Sequence, residues 1–301
     1  MPPAGPLDPA TGRTDTGRSR TSPRLPQKAV SAAASKISCR WPSAVTAVAF
    51  KLAATWAVGL WDALRDFCYP GMCAACSQPS SGPAPLCGLC LANLSELEEA
   101  GACQRCARPL AMELAPCPFC HGKGLYPLKS ILRLGVYDQP LRACILAMKY
   151  RRRWPLGEYL AARLRDRPAV ARLLEQADCI VPVPLHWRRQ LARGYNQSHV
   201  IAACLATRQR PVVRAIMRRR DTEAQARLRS RDARQENMRD AFRLVRPKAV
   251  AGRRVLLVDD VTTTGATLQW AARALLEAKP AAVSGLVLAV ADPAGRDFTS
   301  V

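Results

Sequence analysis

From Leu128 onward, apolar and polar positions fall into two rhythms. The stretch "SILRLGVYD" alternates with a period of two and predicts a strand. "LRACILAMKY" carries apolar residues at helical spacing, and "LGEYLAARLRD" continues as an amphipathic helix. Residues 179–185, "CIVPVPL", form a short β-rich run; Pro184 has no N–H for a central ladder, so the strand ends there and a loop begins. Residues 194–205 predict a helix, "RRVLLVDD" a buried strand, 268–278 a helix and "VSGLVLAVAD" another buried strand. Continuous apolar strands that alternate with helices belong in a parallel sheet with helices on both faces, so the fold class is α/β. Ligands are expected outside the carboxyl ends of such strands.

Upstream of this pattern the texture changes twice. Residues 1–44 hold Pro, Gly, Ser, Thr and Arg with few bulky apolar side chains, and predict a disordered basic extension. It has the acid-poor, Ser-rich look of an organellar transit peptide, and an upstream mis-assigned start explains it equally well. Residues 45–67 predict an amphipathic helix that docks Trp56, Leu60 and Leu64 on a neighbour. Their uninterrupted apolar run is ten residues, 52–61, short of the roughly 18 that a membrane span needs. No transmembrane span is expected, and a surface anchor through Trp56 and Trp61 is the lesser reading.

Between these segments and the α/β pattern lies a cysteine repeat. Cys73-x2-Cys76 is followed after ten residues by Cys87-x2-Cys90, and Cys103-x2-Cys106 after ten by Cys117-x2-Cys120. The period is 30, and Pro79 and Pro109 repeat with it. Each C-x2-C turn aims two sulfurs at one point, and two such turns make a closed shell of four thiolates suited to structural zinc. Eight ligands imply two zinc ions and a small double zinc ribbon over 68–124, ahead of the large domain at 125–301. Sequential and cross-braced pairings use the same residues. Thirteen cysteines in all, an odd number, argue against a secreted disulfide framework and for a reducing, cytoplasmic setting. His121 reads as a surface residue.

The chain of 301 residues has 45 basic and 23 acidic side chains, a formal charge of +22. That excess points to an anionic partner. "VLLVDDVTTTGAT" shows where one could bind. A buried strand ends in Asp259 and Asp260, and Thr262 to Thr267 turn into the next helix. Backbone N–H groups and threonine hydroxyls there suit a phosphate, and Gly265 permits a close approach or a positive φ. The aspartates are acceptors that suit vicinal hydroxyls. A phosphate cradle beside a hydroxyl reader describes a ribose 5-phosphate.

The same stretch resembles the 5-phosphoribosyl-1-pyrophosphate (PRPP) signature of the type I phosphoribosyltransferases. "CIVPVPLHWRRQLARGYNQ", "RRRDTEAQARLRSRDARQENMRDAF" and "FCYPGMCAAC" resemble blocks of the ComF family. The resemblance covers about residues 67–292. It implies a type I phosphoribosyltransferase-like domain behind the double zinc ribbon, and a link in some members to DNA uptake in competence. It implies that Asp259 and Asp260 contact the ribose, and that Thr262, Thr263, Thr264, Gly265, Ala266 and Thr267 hold the 5-phosphate. It places pyrophosphate at His186, Arg188, Arg189 and Arg193. Gln225, Arg231 and Asn237 fall in a hood over the site, and magnesium accompanies PRPP. Asp259, Asp260 and Arg193 are the expected catalytic residues.

Two function classes remain open. One is an enzyme that moves phosphoribosyl from PRPP to an unknown acceptor, releasing pyrophosphate. The other is an accessory protein for single-stranded DNA, working with competence proteins and using the fold as a PRPP sensor. Residues 208–254 hold sixteen Lys or Arg against five acidic residues, but Phe242 is the only aromatic among them. That favours phosphate ligands over base stacking.

Overall fold

The computed structural model describes residues 71–80, 83–110, 116–220 and 239–291. The expected basic extension and amphipathic helix lie outside the described residues, as do Gln225, Arg231 and Asn237. Among the described residues, no helix is long and apolar enough to cross a membrane.

The cysteine repeat is a repeat of backbone. Met72 bridges Pro79, and Ala102 bridges Pro109 in the same antiparallel way. The Cys73 amide donates to the Gln78 carbonyl and the Cys103 amide to that of Arg108, at 2.9 and 3.0 Å. Ser77 and Ala107 close each turn with positive φ. The second halves diverge. Cys87 stands at the N-cap of α1 (Gly88–Glu99), which carries Cys90 in its first turn. Cys117 and Cys120 instead share a tight turn that ends at His121 and Gly122, both at positive φ.

Beyond the ribbons the order is β1 (Ile131–Val136), α2 (Leu141–Tyr150), α3 (Pro155–Arg165), α4 (Pro168–Gln176), β2 (Cys179–Pro182), α5 (Trp187–Arg193) and α6 (Gln197–Leu205). There follow β3 (Ile216–Arg218), β4 (Phe242–Leu244), β5 (Arg254–Thr262), α7 (Ala266–Leu276) and β6 (Ala282–Val290). The main sheet runs β1-β6-β5-β2, all parallel. Strands β3 and β4 form a separate antiparallel pair that flanks the segment expected to be the hood. The predicted α/β architecture is therefore present.

Strand alternation sorts the side chains into two cores. Leu134, Ile180, Leu256, Val258 and Leu286 join the core that takes in α2, α3, α4 and α6. Val181, Val255, Leu257, Val283 and Val287 join the one that takes in α7. Each ribbon feeds one core: Cys73, Cys90, Leu94 and Leu97 the first, Cys103, Cys106 and Cys117 the second. The ribbons also cover the edge of the sheet at β1. The Ile131 amide donates to the Gln104 carbonyl at 3.0 Å. Buried Arg133 donates to the carbonyls of Ala107, Ala100 and Gly101. Gly135 lets the end of α1 lie close, since a side chain there would press on the Leu97 carbonyl. An edge strand covered in this way cannot pair with another chain.

Element boundaries shift where a cap outweighs the apolar pattern. The helix expected over 194–205 begins at Gln197, because Gly194 is the left-handed C-cap of the preceding α5 and Asn196 caps α6. Helix α5 forms where the sequence predicts a loop; it buries no residue, so it leaves no apolar stripe in the sequence. Strand β5 runs on to Thr262, and α7 starts at Ala266 rather than at 268.

Candidate functional site

The carboxyl ends of β2 and β5 lie side by side. Pro182 pairs with Val258, and the Val183 amide donates to the Val258 carbonyl at 2.9 Å. The loop after β2 therefore leaves the sheet next to Asp259 and Asp260. The two aspartates have different surroundings. Asp259 is buried; its Oδ1 accepts from the Ser198 hydroxyl and from the Asp260 amide, each at 2.9 Å. Burial, and then the Asp260 charge, push its carboxyl up to about 7. Asp260 is more open: Lys149 Nζ lies 3.0 Å from its Oδ2, and the Val261 amide donates to Oδ1 at 2.6 Å.

Past β5 the chain turns through Thr263 and Thr264 into α7. Gly265 is the N-cap residue at φ 84°. This positive φ decides the need for glycine there. A Cβ at Gly265 would overlap Leu125 Cδ1, so that side of the residue faces the segment after the second ribbon. Thr264 Oγ1 accepts from the Ala266 amide at 3.4 Å. The Thr263 hydroxyl is buried and has no hydrogen-bond partner among the described residues. A buried hydroxyl left unsatisfied at a helix N-terminus is the kind of group that an anion completes.

The "RGYNQS" stretch ties the loop after β2 to this site, with a separate contact for almost every residue. Arg193 Nη1 donates to Gln197 Oε1 at 3.2 Å, and its guanidinium lies 5.7 Å from the Tyr150 ring. The Tyr195 hydroxyl donates to the Met148 carbonyl. Asn196 Nδ2 donates to the Val183 carbonyl at 2.9 Å, while its Oδ1 caps α6 through the Ser198 amide. His186 is buried at the N-cap of α5. Arg188 is exposed and lies over Trp187, and Arg189 is half-buried on the same helix. Ser198 and Lys149 are absent from the residues that the sequence singles out. A lysine in the last turn of a helix reads as a dipole partner, and a serine inside a helix carries no distinct signal.

The eight repeat cysteines form two groups, Cys73, Cys76, Cys87, Cys90 and Cys103, Cys106, Cys117, Cys120, with sulfurs inside each group within 4.8 Å. The pairing is sequential. Cys76 and Cys87 bring their sulfurs to 3.7 Å, Cys103 and Cys120 to 3.8 Å, and Cys106 and Cys117 to 3.9 Å. A tetrahedron with Zn–S bonds of about 2.3 Å has edges of about 3.8 Å, so the residues fit zinc. Burial, then the neighbouring thiols, push Cys90 up; Cys106 is pushed up as well, burial again being the main cause. A cation among the four sulfurs of a group would let the buried ones ionise. His121 is exposed and belongs to neither group.

Comparison with known proteins adds the family. The phosphoribosyl transferase domain model matches residues 186–300. The DNA utilization protein YhgH of Escherichia coli K12 is 32% identical over 226 residues, covering 71% of this chain and 94% of the relative. Competence protein F of Haemophilus influenzae is 32% identical over 188 residues, covering 60% of this chain and 81% of the relative. Competence protein ComFC of Bacillus subtilis is 36% identical over 110 residues, covering 36% of this chain and 43% of the relative. With a phosphoribosyltransferase domain behind two four-cysteine groups, and relatives matched over most of their length, the chain belongs to the ComF family.

Proposed function

We propose that this protein binds PRPP with magnesium at the carboxyl end of β5 and transfers its phosphoribosyl group to an acceptor, releasing pyrophosphate. The observation that carries the reading is the buried Thr263 hydroxyl, without a partner among the described residues, in a helix-starting turn directly beyond an aspartate pair. A 5-phosphate seated there would accept from that hydroxyl and from the turn amides. Asp260 would accept from the ribose hydroxyls, with Asp259 behind it as a fixed wall. Arg193, beside the loop after β2, would face the pyrophosphate as charge builds on the leaving oxygen. Magnesium, when bound, would neutralise pyrophosphate oxygens, held mostly by the substrate itself. No protein nucleophile is required, because the acceptor attacks C1 of the ribose. Zinc has no place in this chemistry; the two thiolate groups would hold it as a structural ion.

A specific observation supports a second reading, single-stranded DNA binding in the service of competence. The relatives' names point to DNA, and exposed aromatics lie beside arginines. Trp187 is 59% exposed under Arg188, and Tyr150 is 71% exposed beside Arg193. Such pairs are stacking platforms for bases, and they lie outside the basic strip at 208–254.

One melting assay separates the two. A ligand that binds only the folded state stabilises it by about 2.7 kcal/mol at a hundred times its dissociation constant. PRPP with magnesium is expected to raise the melting temperature, and Asp260→Asn to weaken that effect more than it weakens the effect of inorganic phosphate. No shift at millimolar PRPP on metal-loaded protein rules out the first reading. A shift with oligonucleotide that falls steeply with salt and is reduced by Trp187→Ala favours the second.

A further inference from the structure

The two knuckles share a backbone but differ at several matched positions, one of which bears on the site. Gln78 occupies it in the first ribbon and Arg108 in the second; each offers its carbonyl to the first cysteine of its own turn. Among the described residues, the Arg108 side chain makes contacts with no counterpart in the first ribbon. Its guanidinium lies 4.9 Å over the ring of Phe119, which stands between Cys117 and Cys120. From there its Nη2 donates to the Thr263 carbonyl at 3.1 Å. The segment after the second ribbon closes on the same turn. Leu125 lies against Gly265, and the Tyr126 carbonyl accepts from Gln269 Nε2 at 3.1 Å.

The orientation of the Thr263 carbonyl matters. A turn holds an anion only while its N–H groups face inward and its carbonyls face outward. A flipped peptide after Thr263 would aim an oxygen, rather than the next N–H, at the bound anion. A charge-assisted hydrogen bond on the outward oxygen opposes that flip. The guanidinium is itself held by the aromatic ring of the second cysteine turn. We infer that Arg108 is a positioning residue for the anion-binding turn, so that the second cysteine group, through Phe119 and Arg108, sets how well the turn at Thr263 binds phosphate. The inference rests on the PRPP reading for the identity of the ligand, but not for the orientation of the turn.

The test uses the full chain with its metal in place. Arg108→Gln installs the residue that the first ribbon already tolerates at the matched position; Arg108→Lys keeps the charge; Gln78→Ala is the control. Three quantities are read: zinc content, amide hydrogen exchange at residues 262–267 without ligand, and affinity for PRPP with magnesium and for inorganic phosphate. Arg108→Gln should keep both zinc ions, speed exchange in the turn, and weaken both ligands about tenfold, as expected for one lost charge-assisted hydrogen bond. Arg108→Lys should recover part of this, and Gln78→Ala should change none of it. Unchanged exchange in the turn of metal-loaded Arg108→Gln overturns the positioning role. Faster exchange in a protein that binds no PRPP keeps the positioning role and sinks the PRPP reading instead.

Discussion

Asp259 and Asp260 are neighbours in sequence with opposite electrostatic fates. Asp259 has given up water for a serine hydroxyl and one amide, while Asp260 keeps a lysine and partial exposure. The buried carboxyl is raised from 3.8 to about 7, with desolvation as the first cause and Asp260 as the second. A carboxyl raised in the fold contributes stability that is fully present below its unfolded pKa and is lost as pH rises through the folded one. Wild type should therefore lose stability relative to Asp259→Asn between about pH 4 and pH 7, by at most about 4 kcal/mol at pH 8. Urea unfolding of both proteins across that range reads the difference. The Lys149 charge pulls the Asp259 carboxyl down, so adding Lys149→Met to each protein should move the window upward. A gap independent of pH would mean that Asp259 is ionised throughout.

At the scale of elements, the anion-binding turn exists because β5 ends, α7 begins and Gly265 joins them at positive φ. Gly265→Ala meets two obstacles, the left-handed backbone and the Leu125 side chain, and should cost about 1–3 kcal/mol. Adding Leu125→Ala should relieve the steric part and leave the backbone part, so the double variant is expected to be more stable than the sum of the two single losses. Strict additivity in urea unfolding would show that Leu125 does not limit the turn. This turn also shows what a sequence can and cannot reveal. The strand, the aspartates, the threonines and the glycine were legible, because an apolar run, paired charges and turn residues each leave a local trace. The partners Ser198, Lys149, Leu125 and Arg108 were not, because each reaches the aspartates or the turn across a long chain separation. Helix α5 was illegible for another reason: it buries nothing, so it has no periodicity to detect. The cysteine repeat was legible in spacing alone; which pairs share a group needed the fold.

For the whole molecule, the ribbons behave as parts of the core and not as an appendage. The described residues all fall within one compact unit. Cys73 and Cys90 pack in the same cluster as Leu134 and Met148, and Cys103 and Cys117 in the same cluster as Val181 and Leu257. Arg133, buried in β1 and pulled down to about 10 by burial and then by Arg167, spends its donors on carbonyls of the ribbon segment. If the ribbons folded as independent modules, Cys87→Ser would unfold one of them and spare PRPP binding. This packing argues against such independence. Removing either ion would leave several buried thiols with no cation and loosen one core of the sheet. Zinc analysis of protein purified without added metal should give close to two ions per chain. Stripping them with a chelator should lower the melting temperature of both cores in one cooperative transition, read both by far-ultraviolet dichroism and by tryptophan fluorescence. The comparison of Cys87→Ser with Cys117→Ser sharpens this. Both should destabilise the sheet, but Cys117→Ser should weaken PRPP further, because only the second group holds Phe119 under Arg108. Two separate transitions after chelation, with the later one unchanged from the metal-loaded protein, would mean that the sheet folds without its ribbons.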